Sequence, residues 1–117
     1  MDTDLVKGHL DLLLLGILRD QPRHGYAVIS SLRERSEGTF DLSEGTVYPA
    51  LHRLQDGGLL ASDWEDMAGR LRRVYRITEP GAVALARAQQ RWQGFAGAVD
   101  AVLLSRPTTA TIAGGLR

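Results

Sequence analysis

The sequence predicts a mostly α-helical domain with one small β-hairpin, which is an α+β fold. Three observations predict it. Apolar residues recur at spacings of three and four along four segments, which is the periodicity of amphipathic helices. Residues 59–78 instead carry strand-forming residues on both sides of a glycine turn. The chain has 117 residues, of which 44% are hydrophobic, and this fits one domain with one modest core.

The composition excludes several classes of function. The chain has no cysteine, so disulfide frameworks and thiolate chemistry are excluded. The longest apolar run, residues 12–18, is too short to span a bilayer, and we expect a cytoplasmic protein. His9, His24 and His52 lie far apart on different elements, so we expect no metal site. No nucleophile–base–acid set or phosphate loop stands out, so we expect neither a cofactor nor enzymatic activity.

The positive charge is concentrated in one short segment. Residues 1–68 carry 6 Lys/Arg and 12 Asp/Glu, whereas residues 69–76 carry four arginines and no acid. Residues 77–117 carry four arginines and two acids, so the whole chain is neutral. Much of any attraction to nucleic-acid phosphates must therefore come from residues 69–76.

Two helices are predicted in the N-terminal part of the chain. The first is apolar nearly all round, which indicates contact with a partner chain. Its apolar positions are Leu10, Leu12, Leu13, Leu14, Leu15, Ile17 and Leu18. Pro22 ends it, because proline disfavours helix at the residue before it. The second runs from His24 or Gly25 to Ser36, and residues 39–42 form a linker or a single short strand.

A third helix begins at Ser43 or Thr46 and ends at Gly57 and Gly58. Ser43 can cap free amide groups, and Pro49 predicts a loose first turn because it lacks a helix donor. The buried stripe consists of Val47, Ala50, Leu51 and Leu54. The opposite side carries Gly45, Pro49, His52, Arg53 and Asp56, flanked by Thr46 and Tyr48.

Two antiparallel strands, residues 59–65 and 71–78, are predicted to be joined through a turn at residues 66–70. This hairpin carries Arg70, Arg72, Arg73 and Arg76. Alternation on a strand sends Arg72 and Arg76 one way and Arg73 the other, so the four cannot contact one row of phosphates. Arg70 and either Arg72 or Arg73 are candidates for DNA contact, and Arg76 is interpreted as structural. A solvated charged face is the alternative interpretation.

A short helix that leads through a tight turn into a basic hairpin is the layout of a winged helix-turn-helix. Such a domain reads DNA with the helix and contacts the phosphate backbone with the hairpin. The alternative for the third helix is a segment that only packs. We predict a DNA-binding domain over residues 1–80. Its candidate DNA-binding residues are Ser43, Thr46, Tyr48, Pro49, His52, Arg53, Arg70, Arg72 and Arg73.

The last helix begins near Thr78, with Pro80 in its first turn. An apolar seam runs along it to about Leu104 and predicts a dimerisation helix over residues 81–105. Residues 106–117, rich in threonine and glycine, are predicted to be a flexible tail. The candidate dimerisation residues are Leu10, Leu14, Leu85, Ala88, Trp92, Phe95, Val99 and Val102.

A two-fold axis through this seam would bring aromatic rings of two copies together, and such rings hold flat ligands. Trp92, Phe95 and Leu15 are therefore candidate effector-binding residues, for a flat aromatic or cationic small molecule. Trp92 and Phe95 are equally interpreted as core or seam residues.

Three pieces of the sequence resemble the PadR family of bacterial transcriptional regulators. They are HGY at residues 24–26, LSEGTVYPALHRLQDGGLL at residues 42–60 and RRVYRITEPG at residues 72–81. With the spacing between them they cover roughly residues 8–105. The single short final helix resembles the smaller PadR-type subgroup.

The resemblance implies a homodimer in which the last helix packs on the partner's first helix. It also implies a paired operator on double-stranded DNA, and repression that a small effector relieves. Tyr48 and its neighbours match the family's DNA-facing part of the third helix, and the arginines match its basic wing. Trp92 lies where some multidrug-binding members place an aromatic residue between subunits. The chain departs from the pattern in the acidic surroundings of the third helix, where Glu37, Asp41, Glu44 and Asp56 lie.

Two other functions remain open at this point. One is a winged-helix protein–protein interaction module whose basic hairpin faces an acidic partner. The other is a small-molecule sensor without specific DNA binding.

Overall fold

The computed structural model describes residues 3–105 and contains four helices and three strands, which confirms the α+β prediction. The predicted flexible tail, residues 106–117, lies outside the described residues. The elements in chain order are α1 (Thr3–Leu18), β1 (Arg23–His24), α2 (Gly25–Arg35), α3 (Glu44–Asp56), β2 (Leu60–Met67), β3 (Arg70–Ile77) and α4 (Glu79–Leu104).

The helices begin at polar capping residues. The Nδ1 atom of His24 accepts the amide hydrogen of Ala27 and caps α2. The Oγ1 atom of Thr78 accepts the amide hydrogen of Gly81, 3.1 Å away, and caps α4 as the sequence predicts. Ser43 precedes α3, but its hydroxyl donates to the Thr46 hydroxyl (3.1 Å) instead of capping an amide.

The helix α3 runs unbroken from Glu44 through Pro49, so the alternative start at Thr46 is wrong. The amides of Thr46 and Val47 both donate to the carbonyl oxygen of Ser43, which closes the first turn. Pro49 is accommodated because its side of the helix is exposed, where the unpaired carbonyl oxygen of Gly45 meets water.

The sheet is antiparallel in the order β1-β3-β2, so β3 is central and the outer edge of β2 has no neighbouring strand. The sequence gave no sign of β1, since two residues show no periodicity, and residues 39–42 are a linker rather than a strand. The hairpin turn is shorter than predicted. Only Ala68 and Gly69 lie between the strands, with φ of 55° and 82°, and this backbone matches the twist of a two-residue hairpin.

The core lies between the three N-terminal helices and one face of the sheet. The predicted stripe of α3, Val47, Ala50, Leu51 and Leu54, is buried. It packs with leucines of α1, with Val28 of α2 and with Tyr75 of β3. Four residues predicted for dimer or effector contacts are also buried in this core: Leu10, Leu14, Leu15 and Leu85.

The chain divides into two compact units, Met1–Arg87 and Ala88–Arg117, and the boundary falls inside α4. In the second unit most apolar side chains of α4 are exposed, including Trp92, Phe95, Val99 and Val102. None of the helices in the described part of the chain is long and apolar enough to cross a membrane.

Candidate nucleic-acid interface

The exposed face of α3 carries five of the candidate residues. Ser43, Thr46, Pro49, His52 and Arg53 are all exposed, on the side opposite the buried stripe. A methyl group added at Gly45 would meet only the Ser43 hydroxyl, at 3.9 Å, so the backbone is open to a close approach here. The face is therefore polar, accessible and shaped by short side chains in its first turn.

Tyr48 is half-buried and its ring lies directly on the backbone of Gly25, at the start of α2. A Cβ atom at Gly25 would collide with this ring, so only glycine allows the two helices to meet in this way. Burial raises the pKa of the Tyr48 phenol, the Glu44 carboxylate adds to the rise, and the charge of Arg72 opposes it. The phenol is therefore protonated at neutral pH and is able to donate a hydrogen bond.

His24 and Arg72 bring the start of α2 close to the hairpin. His24 pairs with Val74 of β3, and burial, followed by the charge of Arg72, lowers the pKa of its imidazole. The neutral ring is what the α2 cap requires, because Nδ1 must accept a hydrogen bond. Arg72 acts electrostatically on both His24 and Tyr48, which places its positive charge beside the N-terminal ends of α2 and α3.

The strand register sorts the four arginines of the hairpin. Residues paired across the ladder share a face, and faces alternate along each strand. Arg70, Arg72 and Arg76 therefore share one face and Arg73 lies on the other, as the sequence predicts. Arg70 is exposed near the tip, Arg72 is half-buried, and Arg76 forms an ion pair with Asp63 (3.6 Å).

Arg73 is engaged inside the hairpin. Its Nε atom donates to the Ser62 hydroxyl at 2.8 Å, and its guanidinium carbon lies 5.3 Å from the centre of the Trp64 ring. The Ser62 hydroxyl in turn donates to the side-chain oxygen of Gln55, near the end of α3. Sequence reasoning missed Ser62 and Gln55, because their roles follow from the register of β2 and β3.

Arg53 is held by a carboxylate of α1. Its two terminal nitrogens donate to the two oxygens of Asp11, at 2.8 and 3.1 Å. The hydrogen bond from Asp11, followed by its charge, raises the pKa of Arg53. Asp11 was not among the sequence candidates, since 42 residues separate it from its partner. A DNA phosphate at Arg53 would therefore have to compete with Asp11.

The candidate effector residues differ in exposure. Leu15 is 2% exposed and belongs to the core of the first unit. Trp92 and Phe95, in the second unit, are 41% and 62% exposed, with ring centres 6.3 Å apart and planes inclined by 37°. The described residues contain no cluster of three or more histidine or carboxylate side chains that would hold a metal ion.

An apolar depression of about 290 Å³ opens between α1 and α2. Its floor includes the half-buried Leu12, Leu13 and Phe40, and Arg19 and Arg35 stand among its lining residues. Unlike Leu10 and Leu14, Leu12 and Leu13 keep accessible apolar surface. They are therefore the leucines of α1 that remain available to another chain.

Comparison with known proteins gives consistent results. The model of the PadR-like family of transcriptional regulators matches residues 14–87. The chain is 49% identical over 53 residues to transcriptional regulator Rv3488 of Mycobacterium tuberculosis, an alignment that covers 45% of this chain and 50% of that protein. It is 27% identical over 99 residues to an uncharacterised protein of Lysinibacillus sphaericus, covering 84% of this chain and 91% of that protein.

Solved structures share the fold. A PadR-like transcriptional regulator from Bacillus cereus superposes with a TM-score of 0.79 and 27% identity, covering 89% of this chain and all of that one. A PadR family regulator from Eggerthella lenta gives a TM-score of 0.76 and 32% identity, covering 88% of each chain.

Proposed function

The chain belongs to the PadR-like family of transcriptional regulators, and on that premise we propose that it is a homodimeric, operator-specific DNA-binding repressor relieved by a small effector. The observation that carries the DNA-binding part is the position of Arg72. Its charge lies beside Tyr48 of α3 and beside the start of α2, next to the exposed polar face of α3. One cation, one protonated phenol and an accessible helix face therefore meet on one side of the domain.

In this proposal α3 enters the major groove and the hairpin contacts the flanking backbone. Tyr48 and Ser43 or Thr46 donate to phosphates, whereas Thr46, Pro49 and His52 meet base edges. No arginine or asparagine lies on the N-terminal part of this face for bidentate base readout, so shape contributes to selectivity. Arg70 and Arg72 supply the phosphate attraction of the wing, which is the hairpin of residues 60–77.

The proposed dimer uses the exposed apolar side of α4. Phe95, Val102 and their neighbours present large apolar side chains to solvent in a single chain, and exposed patches of this kind mark interfaces. The depression at Leu12 and Leu13 of a second copy is the apolar surface that fits them. We expect Phe95→Asp to convert a dimer into monomers in sedimentation velocity, whereas Gln93→Asp, two residues away, leaves the dimer intact.

The test of DNA binding is a footprint on the DNA upstream of the protein's own gene, with affinities measured over a salt series. Wild type should protect a two-fold symmetric site. Arg70→Ala with Arg72→Ala should reduce the log–log salt slope by about 1.8, that is about 0.9 for each lost phosphate contact. Arg76→Ala removes the same charge from the same face but breaks only the Asp63 pair, and it should leave the slope nearly unchanged. Equal slopes for all the variants would contradict the role of the wing.

The effector part of the proposal is tested separately. Exposed, adjacent Trp92 and Phe95 offer flat apolar surface to an aromatic or cationic molecule. Trp64→Phe removes the tryptophan of the wing, so that fluorescence reports Trp92 alone. Quenching of that signal together with release of the operator is expected. Quenching without release would instead favour a small-molecule sensor.

A further inference from the structure

A chain of polar side chains joins the end of α3 to both strands of the wing. Gln55 accepts a hydrogen bond from the Ser62 hydroxyl, which itself accepts one from Nε of Arg73 at 2.8 Å. The guanidinium of Arg73 then lies over Trp64. We call these four residues the wing relay.

The wing relay lies on the face of the hairpin that is turned towards the helices. Ser62 pairs with the buried Tyr75, and Trp64 pairs with Arg73, so all four residues share that face. Gln55, Ser62 and Arg73 are half-buried. Hydrogen bonds shielded from water are stronger than exposed ones, and charged donors strengthen them further.

The remainder of the wing has little other support. Every residue from Asp63 to Leu71 is exposed, and a two-stranded hairpin is marginally stable by itself. The strands are anchored at their other end, where Leu60 and Tyr75 are buried. The wing relay is the point at which the projecting part is tied to α3. Its loss would allow the tip to change its angle relative to the helix.

We propose that Arg73 is a positioning residue that fixes the angle of the wing relative to α3 through Ser62 and Gln55. Arg70 and Arg72, on the opposite face, then meet the DNA backbone at the correct distance from the major groove. This inference rests on the proposed DNA-binding function. It separates two neighbouring arginines of equal charge, one that binds phosphate and one that orients the element on which the other stands.

The chemistry of the side chain makes the proposal testable by a conservative change. Lysine keeps the charge of Arg73 but has no Nε–H donor at that position and no planar group to lie on Trp64. A phosphate contact would survive the change largely intact, whereas the wing relay would not. Arg73→Lys should therefore raise the Kd for the operator about tenfold, equivalent to about 1.4 kcal/mol, with an unchanged salt slope. Arg72→Lys should have a much smaller effect.

Ser62→Ala provides the second variant, because it breaks the wing relay without removing any charge. It should raise Kd by about the same factor as Arg73→Lys, and the two changes together should cost little more than either alone. Hydroxyl-radical footprints should lose protection where the wing lies and keep it where α3 lies. Active fractions from stoichiometric titration separate this effect from partial unfolding, which would lower the fraction but leave Kd unchanged.

A measurement without DNA distinguishes failure of this inference from failure of the proposed function. Amide hydrogen exchange in the hairpin should be about tenfold faster in both variants, with exchange in α3 unchanged. Wild-type affinity of Arg73→Lys, or a silent Ser62→Ala together with a salt slope reduced by about 0.9 in Arg73→Ala, would overturn the positioning role. If wild type binds no operator, the proposed function fails, and unchanged exchange in the two variants would then overturn the wing relay as well.

Discussion

The contact between Gly25 and Tyr48 predicts that Gly25→Ala destabilises the fold and disturbs the presumed reading face together. The new Cβ atom would collide with the Cε1 atom of the Tyr48 ring and lie 2.9 Å from Cζ. Favourable carbon contacts lie at about 3.5–4.0 Å, so the ring would have to move by roughly an ångström. Tyr48 is half-buried beside the core, and it has no free space on the side of α2.

Overpacking of this kind typically costs about 1–3 kcal/mol, and we expect Gly25→Ala to lower the free energy of unfolding by that amount. Urea unfolding at a fixed protein concentration measures it, because the stability of a dimer depends on concentration. Gly45→Ala is the matched control. It adds the same methyl group to an exposed helix position where nothing blocks it, and it should stabilise the protein by up to about 1 kcal/mol.

The decisive comparison is Gly25→Ala in the background of Tyr48→Ala. Without the ring the methyl group meets open space, so the cost should fall to nearly zero, giving a coupling of about 1–3 kcal/mol between the two positions. A loss below about 0.5 kcal/mol in the single variant would refute the reasoning, because it would show that the ring yields freely. An equal cost with and without Tyr48 would refute it as well.

Four further predictions concern stability and charge. Gly81→Ala should cost about 3 kcal/mol or more in urea unfolding, since the new Cβ would collide with the backbone carbonyl of Leu59, which cannot rotate away. Ala68→Asn should raise the melting temperature by relieving a left-handed residue (φ 55°), whereas Ala68→Val should lower it. His24→Asn should weaken the pH dependence of stability: the folded pKa is lowered, so wild type loses stability as pH falls below about 6.5, and unfolding at two pH values measures the difference. Asp11→Asn should strengthen DNA binding and steepen its salt dependence if Arg53 then contacts phosphate; an unchanged slope would place Arg53 away from the DNA.

The sequence was sufficient for the elements whose signals are local. The helices α2, α3 and α4 follow from apolar periodicity with glycine or proline punctuation, and the Thr78 cap follows from the residue types at its position. The strand β1 could not be predicted, because two residues have no period and Arg23–His24 is extended only where β3 pairs with it. The hairpin turn was placed correctly but drawn too long, since Ala68 is not a residue expected at positive φ.

The candidate site was predictable in outline but not in its contacts. The exposed face of α3 follows from 100° per residue, and the split of the arginines follows from strand alternation. The partners of Arg73 and Arg53 do not, because Ser62 and Asp11 reach them only after the register and the helix packing are set. For the same reason, the apolar pattern of α1 could not show which leucines the chain buries itself and which, like Leu12, keep accessible surface.

The open outer edge of β2 has a consequence for how copies of this chain meet. An unpaired strand edge is a template on which another hairpin can add by hydrogen bonding. This strand carries three carboxylates in its exposed half, Asp63, Glu65 and Asp66. Two such edges brought together would repel each other, so sheet-to-sheet aggregation is disfavoured. The acidity that weakens the attraction of this domain for DNA thus protects the wing from its own copies and leaves the apolar side of α4 as the surface where two chains can associate.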